Sequence, residues 1–433
     1  MSKQLSIWWG GKVAGFLHLN DYGDMGFSYA PEWLEDADAP ALSFSLPKQV
    51  EPFGRRVCHS FFGGILPEEG QRSAIARALG VSAGNEFQLL EHLGGEVAGA
   101  LMLLPEGQLP PAPASGTPDI LDDEHLLQLL QHLPMRPMLA GEGGLRLSLA
   151  GAQSKLPVLL IDDHIALPAP GQPTSHILKP PIARFEQTTE NEYYCMTLAR
   201  EIGLDVASVT MRRVRDQPFL LIERYDRTRD ADGRLVRLHQ EDFAQALGVP
   251  SQRKYASEGG PTFKDSFALL RQAATRPARD ILKLADAAIF NLIIGNADAH
   301  AKNFSLLYID GAIRLAPLYD LLSTVAYRDL SPKLAMKIAK KATLEEIESR
   351  HWDQFAEDVN IGAPYARVTK RRLDGEPPCG PVPLCGRRLP HAGKIIPICL
   401  DEIRHRRCGL HHRALGQSVK RGFCKNAASL RPR

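Results

Sequence analysis

The chain has 433 residues, of which 44% are hydrophobic and 24% charged, and a formal net charge of +2. These values fit an ordinary globular protein long enough for two or three domains; they exclude a disordered chain and give no strong overall pull toward nucleic acid. No apolar run approaches the roughly 20 residues of a membrane helix, and the opening MSKQLSIWWGGK lacks a basic stretch followed by an apolar one, so the expected location is cytoplasmic, with no membrane partner.

The first segment reads as small β-rich structure. WWGGKVAGFLHL carries a GGK turn between short apolar runs, the signal of a hairpin, and MGFSYAPEW is a second strand candidate. RSAIARALG and EFQLLEHLG are helix-like, and PEGQLPPAPASGTPD from 105 to 119 is a connector rich in Pro, Gly and Ser. DDEHLLQLLQHLP then reads as an amphipathic helix. Between 145 and 225 lie the strand-like runs LRLSL, LPVLLI, SHILK and QPFLLIERY, with the helical spacing of TENEYYCMTLAREIGL among them. From about 240 helices are expected to dominate, interrupted by one hairpin, NFSLLYIDGAIRLAPLYD, with Asp310-Gly311 at its turn.

Within that last part NADAHAKN, residues 296–303, is a strongly polar stretch between two apolar ones. Asn296, Asp298, His300 and Lys302 alternate, so in an extended segment they project to one side, and a polar loop after a buried helix is expected. Asp298 and Asn303 also have the D-x-x-x-x-N spacing of a phosphotransferase catalytic loop, in which the Asp takes the proton of the attacking hydroxyl and the Asn carbonyl oxygen holds magnesium. Asp320, one hairpin later, stands where a second metal carboxylate is needed, and magnesium takes hard oxygen ligands together with phosphates. Asx residues are also common in ordinary loops, where they bond their own backbone.

Two upstream features suit the same chemistry. Lys179 ends the apolar strand of SHILKPP, from which a lysine reaches into a nucleotide cleft, and Glu190 or Glu192 is its candidate ion-pair partner. LSLAGAQSK, 147–155, sets small residues between two strand candidates, and Gly151 lets backbone N–H groups approach an anion. A solvated edge lysine and a tight turn would explain these two features equally well.

RLSLAGAQSKLPVLL, HILKPP, NEYYCMTLAREIGL, ERYDR, QEDFAQALGVPSQRKYASEGGP, NADAHAKNFSLL and APLYDLLS, in this order, resemble the HipA family of bacterial serine/threonine kinase toxins. The resemblance runs from SYAPEWL and LSFSLP to about residue 368. It implies an α+β, two-lobed protein-kinase-like fold with an N-terminal β-rich subdomain (1–110), an N-lobe-like part (111–235) and a mainly helical C-terminal lobe (236–370). Asp298 then corresponds to the catalytic base, Asn303 and Asp320 to the magnesium ligands, and His300 and Tyr319 to residues beside ATP. Lys179 corresponds to the phosphate-binding lysine, the Ala150, Gly151, Ala152, Gln153, Ser154 and Lys155 stretch to the phosphate-binding loop, and Glu223, Arg224 and Tyr225 to the hinge that holds adenine. Ser148 matches the serine that these kinases autophosphorylate, ejecting the loop and switching the enzyme off. The implied partners are a HipB-like helix-turn-helix antitoxin, operator DNA reached through that complex, and an aminoacyl-tRNA synthetase substrate, typically the glutamyl enzyme. The alternatives are a small-molecule kinase, which lacks the Ser148 feature and the N-terminal domain, and a non-catalytic corepressor acting with the antitoxin.

The tail departs from the family pattern. Residues 371–433 carry 14 Lys and Arg against 4 Asp and Glu, and five of the seven cysteines (Cys379, Cys385, Cys399, Cys408 and Cys424). Family members finish in a helical bundle, whereas this stretch lacks helical periodicity and has the composition of GC-rich coding DNA read out of frame. A frameshift near residue 370 is therefore expected. A zinc site using His411 or His412 and a basic DNA-contacting arm are the rival readings.

Overall fold

The computed structural model describes residues 4–111, 116–141 and 144–362. The expected frame change near 370, the zinc site and the basic arm lie outside the described residues. Among the described residues, no helix is long and apolar enough to cross a membrane.

The chain begins with a four-stranded antiparallel sheet in the order Met25–Tyr29, Lys12–Leu19, Gln4–Trp9, Leu101–Pro105. Its first hairpin turns at Gly10 and Gly11, both at positive φ (58° and 82°), where side chains are strained. The fourth strand, LMLLP, is buried along nearly its whole length, so it lacks the alternation by which a half-exposed strand is read.

Helix Arg55–Ile65 was not anticipated from the sequence, because it has no side-chain N-cap and carries Gly63 and Gly64 in its last turn. Those glycines are there for close approach: a Cβ on Gly63 would lie 2.7 Å from Glu86 Oε2, and one on Gly64 2.8 Å from Gln245 Cγ. The helix thus brings the first hundred residues against the helical lobe, and Gln245 Nε2 donates to the Phe61 carbonyl at 2.9 Å.

A six-stranded antiparallel sheet follows, in the order Asp119–Ile120, His164–Leu167, Leu156–Ile161, His176–Lys179, Gln217–Glu223, Val209–Val214. One apolar core runs from Leu5 in the first sheet to Leu221 in the second. The expected strand LRLSL does not form. Its partner is the loop around Glu96, with which Leu147 makes an isolated bridge and the Ser148 N–H a 2.9 Å bond.

Helices Phe263–Ala273, Pro277–Ile294 and Ser349–Asp358 dominate the third part. The anticipated hairpin, Ser305–Ile309 with Ala312–Leu315, turns at Asp310-Gly311 and gains His239–Asp242 as a third strand. A second pair, Lys333–Ile338 with Lys341–Thr343, went unread: its turn places Ala339 and Lys340 at positive φ without a glycine to mark it.

The first sheet's domain and this lobe also meet at Glu241, whose buried carboxylate accepts from Ser43 Oγ, the Phe44 N–H (3.0 Å) and the Tyr308 hydroxyl (2.5 Å). Burial outweighs those bonds and pushes this carboxyl up from 4.5 to about 7. A carboxyl raised on folding contributes its full stability below pH 4.5 and loses it as the pH climbs through 7, by up to ~3 kcal/mol. Glu241→Gln is expected to flatten that slope, since the two hydroxyls can rotate to accept from the new amide. Urea midpoints between pH 4.5 and 8 with the same slope in both proteins would refute this.

Candidate active site

A cleft of about 850 Å³ lies between the six-stranded sheet and the helical lobe, within the range of nucleotide-sized pockets. Helix Pro277–Ile294 delivers the polar stretch to it. The helix ends on Gly295 at φ 71°, a left-handed stop, and Asn296 turns back to donate to Asn291 Oδ1 at 2.8 Å. The expected extended geometry of residues 296–302 is thus corrected. Asn296 caps the helix, His300 is extended, and Ala301–Asn303 is a 3₁₀ turn. Asp298, His300, Lys302 and Asn303 still line the cleft.

Lys179, the last residue of strand His176–Lys179, is 3% exposed and donates to Glu192 Oε1 at 2.7 Å and to Asp320 Oδ1. Glu192 is therefore its helix partner, and Glu190 instead reaches Arg213. Burial works against the Lys179 ammonium, but Asp320 and Glu192 outweigh it and raise its pKa. Burial likewise opposes the Asp320 carboxylate, and Lys179 and Lys155 overcome it, pulling the group down to about 2. Asp320 itself sits at φ 54°, a left-handed conformation that costs a non-glycine residue on the order of 1 kcal/mol or more and is typical of functional sites.

Asn303 Oδ1 is buried with no hydrogen-bond partner among the described residues. An orphaned amide oxygen in the same cleft as the Asp320 carboxylate fits a hard cation that also binds phosphate oxygens. Among the described residues no three His, Cys, Asp or Glu side chains cluster as a metal site. Burial lowers the pKa of His300, which leaves its ring neutral near pH 7. Tyr319 stacks with Tyr225 at 5.7 Å between centroids and donates to the Lys302 carbonyl at 2.8 Å.

The loop Ala150–Lys155 borders the cleft. Gly151 has φ 111°, and Lys155 Nζ folds back onto the Ala150 carbonyl at 2.7 Å. Gln153 and Ser154 are the loop's other polar side chains, Gln153 Nε2 donating to the Pro180 carbonyl at 3.4 Å. Ser148 is fully buried, its hydroxyl donating to the Ile65 carbonyl at 3.0 Å. Glu223, Arg224 and Tyr225, the residues expected at the hinge, all line the cleft, but the Arg224 guanidinium is committed elsewhere. It bonds Asp226, Thr174 and Glu96, and Glu96 also receives Arg227 and Arg237.

Four further polar side chains of the cleft were not anticipated from the sequence. Lys254, Tyr255, Glu68 and Asp242 line it too: Tyr255 donates to Asp298 Oδ1 at 3.0 Å, Lys254 Nζ to Glu68 Oε2 at 2.9 Å, and Lys302 Nζ to Asp242 Oδ2 at 2.5 Å. KYASEGG in the family-like segment was the available signal.

Comparison with known proteins bears on this geometry. Residues 5–104 match the family model of the HipA N-terminal domain and residues 147–374 that of the HipA-like C-terminal domain. The protein Y4mE of Sinorhizobium fredii is 59% identical over 84% of this chain and 87% of its own. The serine/threonine-protein kinase toxin HipA of Shewanella oneidensis is 32% identical over 74% of this chain and 78% of its own. A solved structure of Shewanella oneidensis HipA with HipB and operator DNA superposes with a TM-score of 0.77 at 25% identity, covering 96% of this chain and 93% of that one.

Proposed function

The chain belongs to the HipA family of serine/threonine-protein kinase toxins, and from that premise we propose that it moves the γ-phosphoryl group of ATP to a protein hydroxyl, with Asp298 as base. The observation that supports this reading most is the convergence of Lys179, Asp298, Asn303 and Asp320, from three separate segments, on one cleft. In the proposed reaction the acceptor hydroxyl oxygen bonds to the γ-phosphorus as the bond from that phosphorus to the ADP oxygen breaks, and Asp298 takes the hydroxyl proton. Lys179, held by Glu192, contacts the ATP phosphates, as does Lys155 with the amides of the Ala150–Lys155 loop. Asn303 Oδ1 and Asp320 would hold magnesium, which when bound supplies positive charge against the phosphates. Tyr225 and Tyr319 flank the nucleotide beside His300, and the backbone of Glu223–Tyr225 faces the adenine.

The same reading extends to partners. Because the similar Shewanella oneidensis structure contains HipB and operator DNA, a HipB-like helix-turn-helix antitoxin is the proposed partner, and DNA is reached through it. An aminoacyl-tRNA synthetase, the glutamyl enzyme first, is the proposed substrate, with the cytoplasm as the place of action. The proposed division of the chain falls near 110, 235 and 370.

Ser148 is the proposed self-modification site. Phosphorylation would put a dianion where the hydroxyl now meets a buried carbonyl, and the loop could not stay seated. Intact-mass measurement before and after ATP and magnesium, with peptide mapping, is expected to show one added phosphate on Ser148 that is lost in Asp298→Asn. A folded, initially unmodified chain that gains no phosphate on any residue would sink the kinase reading.

A further inference from the structure

The site has a second floor, and it comes from the N-terminal domain. Residues 65–71 run beneath the phosphate loop and hold it at three places: the Ile65 carbonyl accepts from Ser148 Oγ, the Glu68 N–H donates to the Gly151 carbonyl at 3.1 Å, and Gln71 Nε2 donates to Ser154 Oγ at 3.0 Å. The Glu68 side chain points the other way, into the helical lobe. It is 5% exposed and takes Lys254 at 2.9 Å and Lys302 at 3.6 Å, lysines of two different segments. Burial raises its carboxyl, but Lys302 and Lys254 outweigh burial and keep it below the usual carboxylate range, so it is charged at neutral pH.

From Lys254 the contacts continue. Its ammonium lies 5.3 Å from the centroid of the Tyr255 ring, a cation–π distance, and that ring meets His300 edge-on at 5.6 Å. The Tyr255 hydroxyl then donates to Asp298 Oδ1, leaving the second carboxylate oxygen for the acceptor hydroxyl. The loop bearing both residues is tight: the Gly259-Gly260 turn returns the Gly260 N–H to the Tyr255 carbonyl at 2.9 Å, and a Cβ on Gly260 would lie 2.0 Å from the Arg253 carbonyl oxygen. A displacement of Lys254 therefore moves Tyr255.

We propose that Glu68 and Tyr255 are positioning residues for the base: Glu68, reaching across from the N-terminal domain, fixes Lys254 and through it Tyr255, whose hydroxyl sets the Asp298 carboxylate. The proposal rests on the kinase reading for Asp298. Since Glu68 also holds Gly151 through its backbone, unseating the phosphate loop loosens the acceptor side of the cleft as well as the nucleotide side.

The test is a double-mutant cycle on the full chain, read by kinetics and by hydrogen exchange. Tyr255→Phe keeps the ring and its lysine contact and removes only the hydroxyl. It is expected to lower kcat about tenfold with the KM for ATP within twofold, as befits orientation of the base rather than nucleotide binding. Glu68→Gln is expected to do the same and to speed amide exchange in residues 251–260, while Lys254→Arg keeps most activity and Lys254→Met does not. The double variant should be no slower than the slower single one, because both act through one carboxylate. A double loss equal to the product of the single losses, or single variants at wild-type rates, would overturn the proposal. Should the wild-type chain prove inactive, the kinase reading is what fails. Exchange then decides the contact chain separately: unchanged exchange at 251–260 in Glu68→Gln refutes it.

Discussion

Asp298→Asn is expected to lower phosphoryl transfer by roughly 10³-fold, the range found when a positioned general base is lost. The amide keeps the size and the bond from Tyr255 but cannot take up the acceptor's proton. Stability should barely change, because Asp298 is exposed and in no ion pair among the described residues. Initial rates of phosphate incorporation, with a thermal melt as control, provide the measurement; a rate within tenfold of wild type in a folded variant would remove Asp298 from the role. Asp320→Ala should be as severe for a different reason. It takes away the carboxylate proposed for the cation and leaves Lys179 with Glu192 alone, and near-normal rates would undo that assignment.

The largest loss of stability is expected at Glu96. This residue sits in a loop of the N-terminal domain, is 2% exposed, and receives Arg224, Arg227 and Arg237 together with the N–H and hydroxyl of Thr174. Burial alone would raise its carboxyl, yet the guanidinium groups of Arg227, Arg237 and Arg224 prevail and hold it far below the usual range. Glu96→Ala would leave the buried guanidinium groups of Arg224 and Arg227 to share Asp226 and Arg237 with the Gly171 carbonyl, and removing one partner from a buried charge network costs about 3–5 kcal/mol. Glu96→Gln, which keeps an acceptor oxygen, should lose less. Urea unfolding at pH 7 is the check, and a loss below about 1 kcal/mol for the alanine variant would mean that water reaches the arginines. Because Arg224 lies between Glu223 and Tyr225, the same substitution should also weaken ATP binding.

What could be read from the sequence was what is local. The Gly10-Gly11 and Asp310-Gly311 turns announce themselves because the backbone there requires φ values that few residues adopt. Lys179, Asp298, Asn303 and Asp320 could be named from spacing and family resemblance, and the fold meets in one cleft what the sequence keeps in separate segments. The choice between Glu190 and Glu192 needed the third dimension. Two residues apart on a helix are about 200° apart around it, so only one can face the strand, and nothing in TENEYY says which. Glu68 and Lys254, separated by 186 positions, leave no pattern in either stretch. The fourth strand, Leu101–Pro105, pairs with Gln4–Trp9 across the whole N-terminal domain and was equally invisible. The resemblance did suggest the Glu223–Tyr225 hinge, but not that the Arg224 guanidinium is taken up by Glu96, Thr174 and Asp226.

Ser148 has one more consequence, and it concerns time. A hydroxyl with no exposed surface cannot be reached by any active site, its own or that of another copy, until the segment carrying it has opened. With Ser148 as the proposed self-modification site, opening that is rapid and reversible would make the rate of that modification proportional to the open fraction, so each 1.4 kcal/mol in seating free energy would alter it tenfold. The carbonyl of Ile65 and the N–H of Glu68 then act as a delay setting. The N-terminal domain, through its hold on this segment, would then set how long a newly made molecule keeps Ser148 unmodified.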